Sequence, residues 1–137
     1  MRIPVSVLNR ILVHAATDYP MECCGLLVGR GDEVRAAEAV RNLRADERYD
    51  RFELDPVGHV KVWEAARAAG DEVVGCYHSH PDGQARPSPI DRRLARRFGG
   101  PFGYLVVAIG DGLSCRVYAG MIGEDGEIER VPLELQD

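Results

Sequence analysis

Apolar residues recur at helical spacing in three segments of the chain. A first helix is predicted between Pro4 and Pro20, and a second over residues 56–70. A third is predicted over 88–100, where Ser88 can cap the helix and a proline follows in the first turn. The apolar positions are Val7, Leu8, Ile11, Leu12, Ala15 and Ala16 in the first helix, and Val57, Val60, Val62, Trp63 and Ala66 in the second.

Other segments are rich in β-forming residues and are bounded by turn signals. Strands are predicted over 21–30, 34–40, 72–80, 104–110, 113–120 and 127–135, with a short candidate at 52–55. The first strand is apolar enough to be buried on both faces. The polar stretch 41–51 is predicted to be a loop, and Asp111-Gly112 is typical of a hairpin turn. The pattern predicts a single α/β domain over residues 1–137, with a mixed sheet and about three helices.

Composition and charge exclude several classes of function. Hydrophobic residues make up 45% of the 137 residues, and the formal net charge is −5, which disfavours binding to nucleic acids or anionic membranes. No apolar run approaches the ~20 residues that span a bilayer, and the N-terminal segment lacks a signal-peptide cleavage pattern. The four cysteines show no C-x-x-C spacing, and two of them are adjacent. Reduced thiols and a cytoplasmic location are therefore expected.

Good metal ligands are concentrated between His78 and Asp91. On a strand, His78 and His80 point to the same face and lie ~6.6 Å apart along the chain, so both rings can reach one ion. Asp91, in the first turn of the next helix, is a third candidate ligand, and catalytic zinc has three protein ligands and a water. The same residues also fit a strand followed by a helix with a capping box at Ser88 and Asp91, which needs no metal. Spacing alone leaves both interpretations open.

The spacing resembles a known metallopeptidase motif. His78-Ser79-His80, seven residues, Ser88, two residues and Asp91 match the JAMM (MPN+) motif without departure, and Glu22 matches the glutamate that this family carries on an early strand. The chain is similar to small prokaryotic JAMM proteins over nearly its whole length. The resemblance implies the cytidine-deaminase-like JAB/MPN fold, a single α/β domain with a mixed, curved sheet flanked by about three helices.

The resemblance also implies an activity. JAMM proteins are zinc metallopeptidases that cleave peptide or isopeptide bonds after the C-terminal Gly-Gly of ubiquitin-like or sulfur-carrier β-grasp proteins. By this resemblance His78, His80 and Asp91 bind one zinc ion whose fourth ligand is water. Glu22 acts as the general base, and Ser88 donates to the developing oxyanion. Each role agrees with general chemistry, since a carboxylate can relay a proton and a hydroxyl can stabilise an oxyanion.

Several alternatives stay open at this point. The chain could be a non-catalytic JAB/MPN scaffold, although its full set of motif residues argues against that. It could be a cysteine hydrolase that uses Cys24 or Cys76, although unpaired cysteines are usually buried core residues. Four arginines within Arg92–Arg97 form either a solvated helix face or a docking patch for an acidic partner. The sequence does not specify the natural substrate, peptide or isopeptide chemistry, demodification or sulfur metabolism, or whether a homodimer forms.

Overall fold

The computed structural model of the protein describes residues 1–44, 52–110 and 115–137. Across these ranges, three helices flank one eight-stranded mixed sheet. The helices are α1 (Val5–Asp18), α2 (Pro56–Ala68) and α3 (Pro89–Ala95). The strands are β1 (Arg2–Pro4), β2 (Cys24–Arg30), β3 (Glu33–Val40), β4 (Glu72–His80), β5 (Phe102–Ile109), β6 (Cys115–Ile122), β7 (Ile128–Arg130) and β8 (Glu134–Gln136). The predicted turn at Asp111-Gly112 and most of the predicted loop 41–51 lie outside the described residues.

The sheet is curled, as the resemblance implied. Its strand order is β7-β6-β5-β4-β2-β3-β1-β8, so β7 and β8 form opposite ends of the sheet. Only residues 131–133 connect these two strands, and such a connection spans roughly 14 Å at most. Eight strands in a flat sheet would separate the two ends by roughly 34 Å. The two ends can be joined by so short a segment only because the sheet curves back on itself.

The two faces of the sheet carry separate apolar clusters. On one face, α1 packs through Ile11 against Tyr77 of β4 and Leu105 of β5. On the other face, Cys76 and Tyr104 pack together with Ala95 of α3. Because side chains alternate along a strand, the histidines that follow Cys76 at two-residue intervals share the second face. The candidate site therefore lies on the face that α2 and α3 cover.

The second helix is present as predicted, but only two of its five predicted apolar positions face the sheet. Within α2 only Ala66 is buried, with Val62 packed against the same cluster. Val57, Val60 and Trp63 are exposed. These three residues follow one another at three-residue steps and form a stripe of their own, while the 62/66 pair faces the sheet. Apolar spacing identified the helix but not which of its two apolar stripes is buried.

Several boundaries differ from the prediction. The third helix ends at Ala95 instead of 100, since the chain then turns and stacks Phe98 on Phe102 with ring centroids 5.3 Å apart. The predicted strand over 127–135 is divided into β7 and β8 around Pro132, because the two parts pair with opposite ends of the sheet. The candidate strand at 52–55 contributes only one isolated bridge, from Leu54 to Asn42. Strand β1 was not predicted, because three residues show no periodicity.

Candidate metal centre

The end of β4 brings the two histidines of the motif together. His78 and His80 point to the same face of the sheet, as strand alternation predicts, and their Nε2 atoms lie 3.0 Å apart. His78 is completely buried and His80 is 7% exposed. Both imidazoles therefore offer a nitrogen to one point at the edge of the protein interior.

Asp91 joins the histidines from the first turn of α3. Its Oδ2 atom lies 3.2 Å from Nε2 of His78 and 2.9 Å from Nε2 of His80. The same oxygen accepts a hydrogen bond from the backbone N–H of Ser88, and the Ser88 hydroxyl oxygen accepts one from the N–H of Asp91. The capping box and the candidate ligand set, which the sequence left as alternatives, are thus both present. The cap holds the Asp91 carboxylate towards the histidines.

Glu22 reaches the same place from the segment before β2. Its carboxylate, together with one ring nitrogen each of His78 and His80, forms a group of potential ligand atoms that lie within 4.8 Å of one another. The side chain is 1% exposed. A hydrogen bond from the side-chain amide of Asn42 to the Glu22 carbonyl oxygen helps to hold the backbone here, at 2.9 Å.

Ser79, which sequence reasoning left without a role, connects Glu22 to the histidines. The Cys23 N–H donates to the Ser79 hydroxyl oxygen at 2.8 Å, and the Ser79 N–H donates to the Cys23 carbonyl oxygen at 3.0 Å. The residue between the two histidines is therefore bonded twice to the residue after the glutamate. The serine in the His-Ser-His segment is the only signal for this contact in the sequence.

Phe52 is a second residue that sequence reasoning missed. Its ring stacks on the imidazole of His78, with centroids 4.3 Å apart and an interplanar angle of 18°. Tyr104 meets the same imidazole edge-on at 5.3 Å. The His78 ring is held between two aromatic side chains, which restricts its orientation. The sequence carries no local signal for these contacts, because the three residues lie on separate segments.

Hydrogen bonds and charge set the protonation of the three candidate ligands. Nδ1 of His80 lies 2.8 Å from the carbonyl oxygen of Gln84. Since a carbonyl oxygen can only accept, Nδ1 carries a hydrogen, which leaves Nε2 as the ring nitrogen that could bind a metal. This second partner orients the ring, as is usual for histidines that bind metals.

The pKa values of all three candidate ligands are shifted, and the shifts of His78 and Asp91 favour the protonation states that bind a metal. Burial lowers the pKa of His78, against the opposing effect of Asp91. Burial also acts to lower the pKa of His80, but the hydrogen bond and charge of Asp91 outweigh it and raise the pKa. For Asp91 burial acts to raise the pKa, but the two histidines and the Ser88 N–H hold it well below its usual range. Asp91 is thus an ionised carboxylate beside a neutral His78.

A cleft of about 340 Å³ opens onto this cluster. Its walls include Tyr19, Pro20, Glu22, His80, Pro81 and Ser88. His78, being buried, does not line it. A molecule in the cleft would meet the carboxylate of Glu22, the hydroxyl of Ser88 and the His80 side of the cluster. The other two predicted site residues, His78 and Asp91, are buried and contact His80.

The cysteines do not form a comparable site. Cys23, Cys24 and Cys76 are buried and free, and burial raises the pKa of each thiol, that of Cys23 to about 12. A nucleophilic cysteine needs a lowered pKa and access to substrate. The expectation that the cysteines are core residues holds for these three, whereas Cys115 is exposed.

Two of the four arginines of α3 and the turn after it have partners in or next to β7. Arg92 donates to the carbonyl oxygen of Ile128 at 3.2 Å, and Arg96 pairs with Glu127 at 3.1 Å. Half of the predicted patch is thus directed towards β7. Whether Arg92–Arg97 docks a partner stays a prediction.

A family model described as prokaryotic homologs of the JAB domain matches residues 4–129. The chain belongs to this family. The resemblance that the motif indicated is thereby confirmed, and the curled mixed sheet with its helices is the JAB/MPN fold. In the part of the chain that the structure describes, no helix has the length and apolarity needed to cross a membrane.

Two curated relatives of this JAB-family chain are named as enzymes. The desampylase of Haloferax volcanii is 45% identical over 92 residues, which cover 66% of each chain. The CysO-cysteine peptidase of Mycobacterium tuberculosis is 33% identical over 93 residues, which cover 68% of this chain and 64% of the relative. The matched region thus spans slightly less than two thirds of the length of these relatives.

Solved structures support the fold. A protein of Desulfitobacterium hafniense has a TM-score of 0.85 at 28% identity, covering 99% of this chain and 92% of the other. A second structure, described as JAMM, a metalloprotease-like zinc site in the proteasome and signalosome, has a TM-score of 0.59 at 25% identity, covering 100% and 98%. In this chain, ligand atoms of Glu22, His78 and His80 lie close enough together to hold a metal ion.

Proposed function

We propose that this chain is a zinc-dependent peptidase or isopeptidase. It hydrolyses the bond after the C-terminal Gly-Gly of a ubiquitin-like or sulfur-carrier β-grasp protein. The observation that carries the proposal is the convergence of two imidazole nitrogens and the Asp91 oxygen at 2.9–3.2 Å, next to the Glu22 carboxylate and open to a cleft. Membership of the JAB family and the relatives named desampylase and CysO-cysteine peptidase support it. A cytoplasmic location stays a prediction.

The donor atoms fit zinc. Tetrahedral ligands at ~2.0–2.2 Å from zinc lie roughly 3.3–3.6 Å from one another. The separations among the three donor atoms of His78, His80 and Asp91 are only a few tenths of an ångström shorter. Two nitrogens and one ionised oxygen are also a typical donor set for this metal. These three residues would hold one ion and leave a fourth position for water.

Glu22 and Ser88 supply the proton chemistry in this proposal. The chemistry that zinc contributes when bound is Lewis acidity, which lowers the pKa of a water to ~7 and polarises a carbonyl group. The Glu22 carboxylate takes a proton from the attacking water and passes it to the nitrogen of the leaving amine. The Ser88 oxygen accepts from the Asp91 N–H, so its own hydrogen is available to the substrate's carbonyl oxygen as negative charge develops there. One such donor typically lowers the barrier by ~3 kcal/mol.

The test is the intact mass of a carrier fusion that contains Gly-Gly before the bond to be cut. It is incubated with the zinc-loaded protein, with Glu22→Gln, with Glu38→Gln, and with a chelator followed by added zinc. We expect cleavage after the second glycine by the wild type and by Glu38→Gln, a matched change at an exposed position of β3. The chelator should stop cleavage and zinc should restore it.

Measurement of bound metal separates the roles within the site. Glu22→Gln should retain zinc and lose cleavage, whereas Asp91→Asn should lose both. Of these two carboxylates, only Asp91 is proposed as a zinc ligand. Cleavage by Glu22→Gln at the wild-type rate would contradict the general-base role. A zinc-loaded wild type that binds the carrier and never cuts it would favour the scaffold alternative.

A further inference from the structure

A second cavity, of about 620 Å³, lies beside the cleft and is lined by three arginines. We call it the arginine pocket and define it by Arg86, Arg116 and Arg130. Residues 83–85 and Val117 form the rest of its wall. The concentration of three cations at one cavity stands out in a chain whose formal net charge is −5.

Strand register places the arginine pocket on the same face of the sheet as the candidate metal centre. His80 pairs with Ala108 of β5, and Ala108 pairs with Arg116 of β6. Residues paired across neighbouring strands point to the same face, and two strand spacings amount to roughly 10 Å. Arg130 reaches the same face, since its guanidinium carbon lies 4.8 Å from the ring centroid of Tyr118, which stands two residues after Arg116.

One loop separates the two cavities and contributes to both. Pro81, Asp82 and Ser88 line the cleft, whereas residues 83–86 line the arginine pocket. The loop is tied to the candidate metal centre, because the Gln84 carbonyl oxygen accepts from the His80 ring. A polypeptide that leaves the cleft over this loop would reach the arginine pocket after about three residues of extended chain.

The guanidinium groups of the arginine pocket are available for an anionic ligand. Among residues 1–44, 52–110 and 115–137, no carboxylate forms an ion pair with Arg86, Arg116 or Arg130; Arg86 donates to the Gln84 side chain instead. By contrast, Arg2 and Arg35 each pair with a neighbouring aspartate. Guanidinium groups bind carboxylates through paired, charge-assisted hydrogen bonds. Neighbouring positive charges also repel one another, and a bound anion would relieve that repulsion.

We infer that the arginine pocket is a specificity site that binds an acidic side chain of the protein substrate. This side chain lies three or four residues from the scissile bond, a distance set by the roughly 10 Å between His80 and Arg116. The inference rests on the proposed function and names a recognition feature of its substrate. Arg116 and Arg130 are specificity-determining residues and not catalytic ones, because they stand outside the cleft.

The experiment measures binding without turnover. Zinc-loaded Glu22→Gln protein is titrated by calorimetry with carrier fusions that carry Glu or Gln at the third and fourth positions on either side of the scissile bond. We expect Glu at one of these positions to tighten Kd by roughly fivefold to twentyfold, as for a partly exposed ion pair. Adding Arg116→Gln or Arg130→Gln to this protein should remove the preference. Arg10→Gln, on α1 at the opposite face of the sheet, should retain it.

Cleavage of the same fusions by the wild type is measured in parallel, so that the two proposals can fail separately. Equal Kd values for the Glu and Gln fusions at every position would overturn the inference, and so would a preference that survives both arginine changes. Cleavage in either of those cases would leave the proposed function standing. An arginine-dependent preference without any cleavage would support the arginine pocket and count against the peptidase.

Discussion

Replacing Ser79 by alanine removes one buried hydroxyl group and leaves the histidines on either side of it in place. That hydroxyl accepts the Cys23 N–H at 2.8 Å, and both residues are almost completely inaccessible to water. The backbone bond from the Ser79 N–H to the Cys23 carbonyl oxygen survives the change. The substitution thus breaks one of the two bonds that hold the segment of Glu22 against β4.

The expected cost follows from the buried N–H that loses its partner. An unsatisfied buried donor costs about 1–3 kcal/mol of stability. For a chain of this length that corresponds to a decrease in Tm of roughly 3–12 °C. The Glu22 carboxylate, one residue away, is also less well positioned, so kcat should decrease roughly tenfold or more while KM changes little.

Urea denaturation followed by circular dichroism gives the free energy of unfolding, and cleavage of the carrier fusion gives kcat and KM. Ser79→Thr keeps an oxygen at the same position and should restore most of both quantities. Thr17→Ala removes a hydroxyl bonded to the Val13 carbonyl oxygen at an exposed site, and should change stability by less than about 0.5 kcal/mol. If Ser79→Ala matches the wild type in stability and kcat, Ser79 does not position Glu22.

Three further predictions follow from the packing around the site. Phe52→Ala should lower the free energy of unfolding, measured by urea denaturation, by about 3–5 kcal/mol. It should also weaken zinc binding, because the His78 ring loses its stacking partner. The control Val57→Ala, at an exposed position, should change stability little. In the native protein, iodoacetamide should label only Cys115, as measured by peptide mass mapping, and should leave cleavage unaffected. Loss of activity on labelling would support the cysteine hydrolase alternative. Burial raises the pKa of Cys23 from 9.0 to about 12. Because this thiol ionises in the unfolded chain before it ionises in the folded protein, the stability that it contributes is fully present below pH 9 and is lost as the pH rises from 9 towards 12. Cys23→Ala should make this alkaline decrease smaller, and an unchanged decrease would argue against the buried thiol as a cause.

The sequence predicted well those features that depend on a few neighbouring residues. Strand alternation alone places His78 and His80 on one face, and the cap at Ser88 alone directs Asp91 to the start of α3. The family motif then identified Glu22, which no local pattern singles out. The apolar spacing predicted helix α2, but it could not distinguish the buried pair Val62 and Ala66 from the exposed stripe that includes Trp63, because both sets fit helical intervals.

Other features of the site depend on contacts between distant parts of the chain. The bond from Cys23 to Ser79 joins residues 56 positions apart, and the stacking of Phe52 on His78 links a loop to a central strand. The division of the last predicted strand into β7 and β8 depends on which ends of the sheet are available for pairing. No periodic pattern in the sequence predicts these contacts, because each can form only once the sheet has folded.

Most of the helices and strands, the ligand types and their spacing could be predicted from the sequence, since side-chain alternation, helix caps and turn residues act within a few residues of one another. The folded sheet is needed to bring Glu22 and His80 to one cleft, with His78 and Asp91 buried against His80. It is also needed to form the pocket beside the cleft from three arginines of separate segments. The physical reason is that the curled sheet sets distances between segments through long-range strand pairing, and local sequence patterns carry no information about those distances.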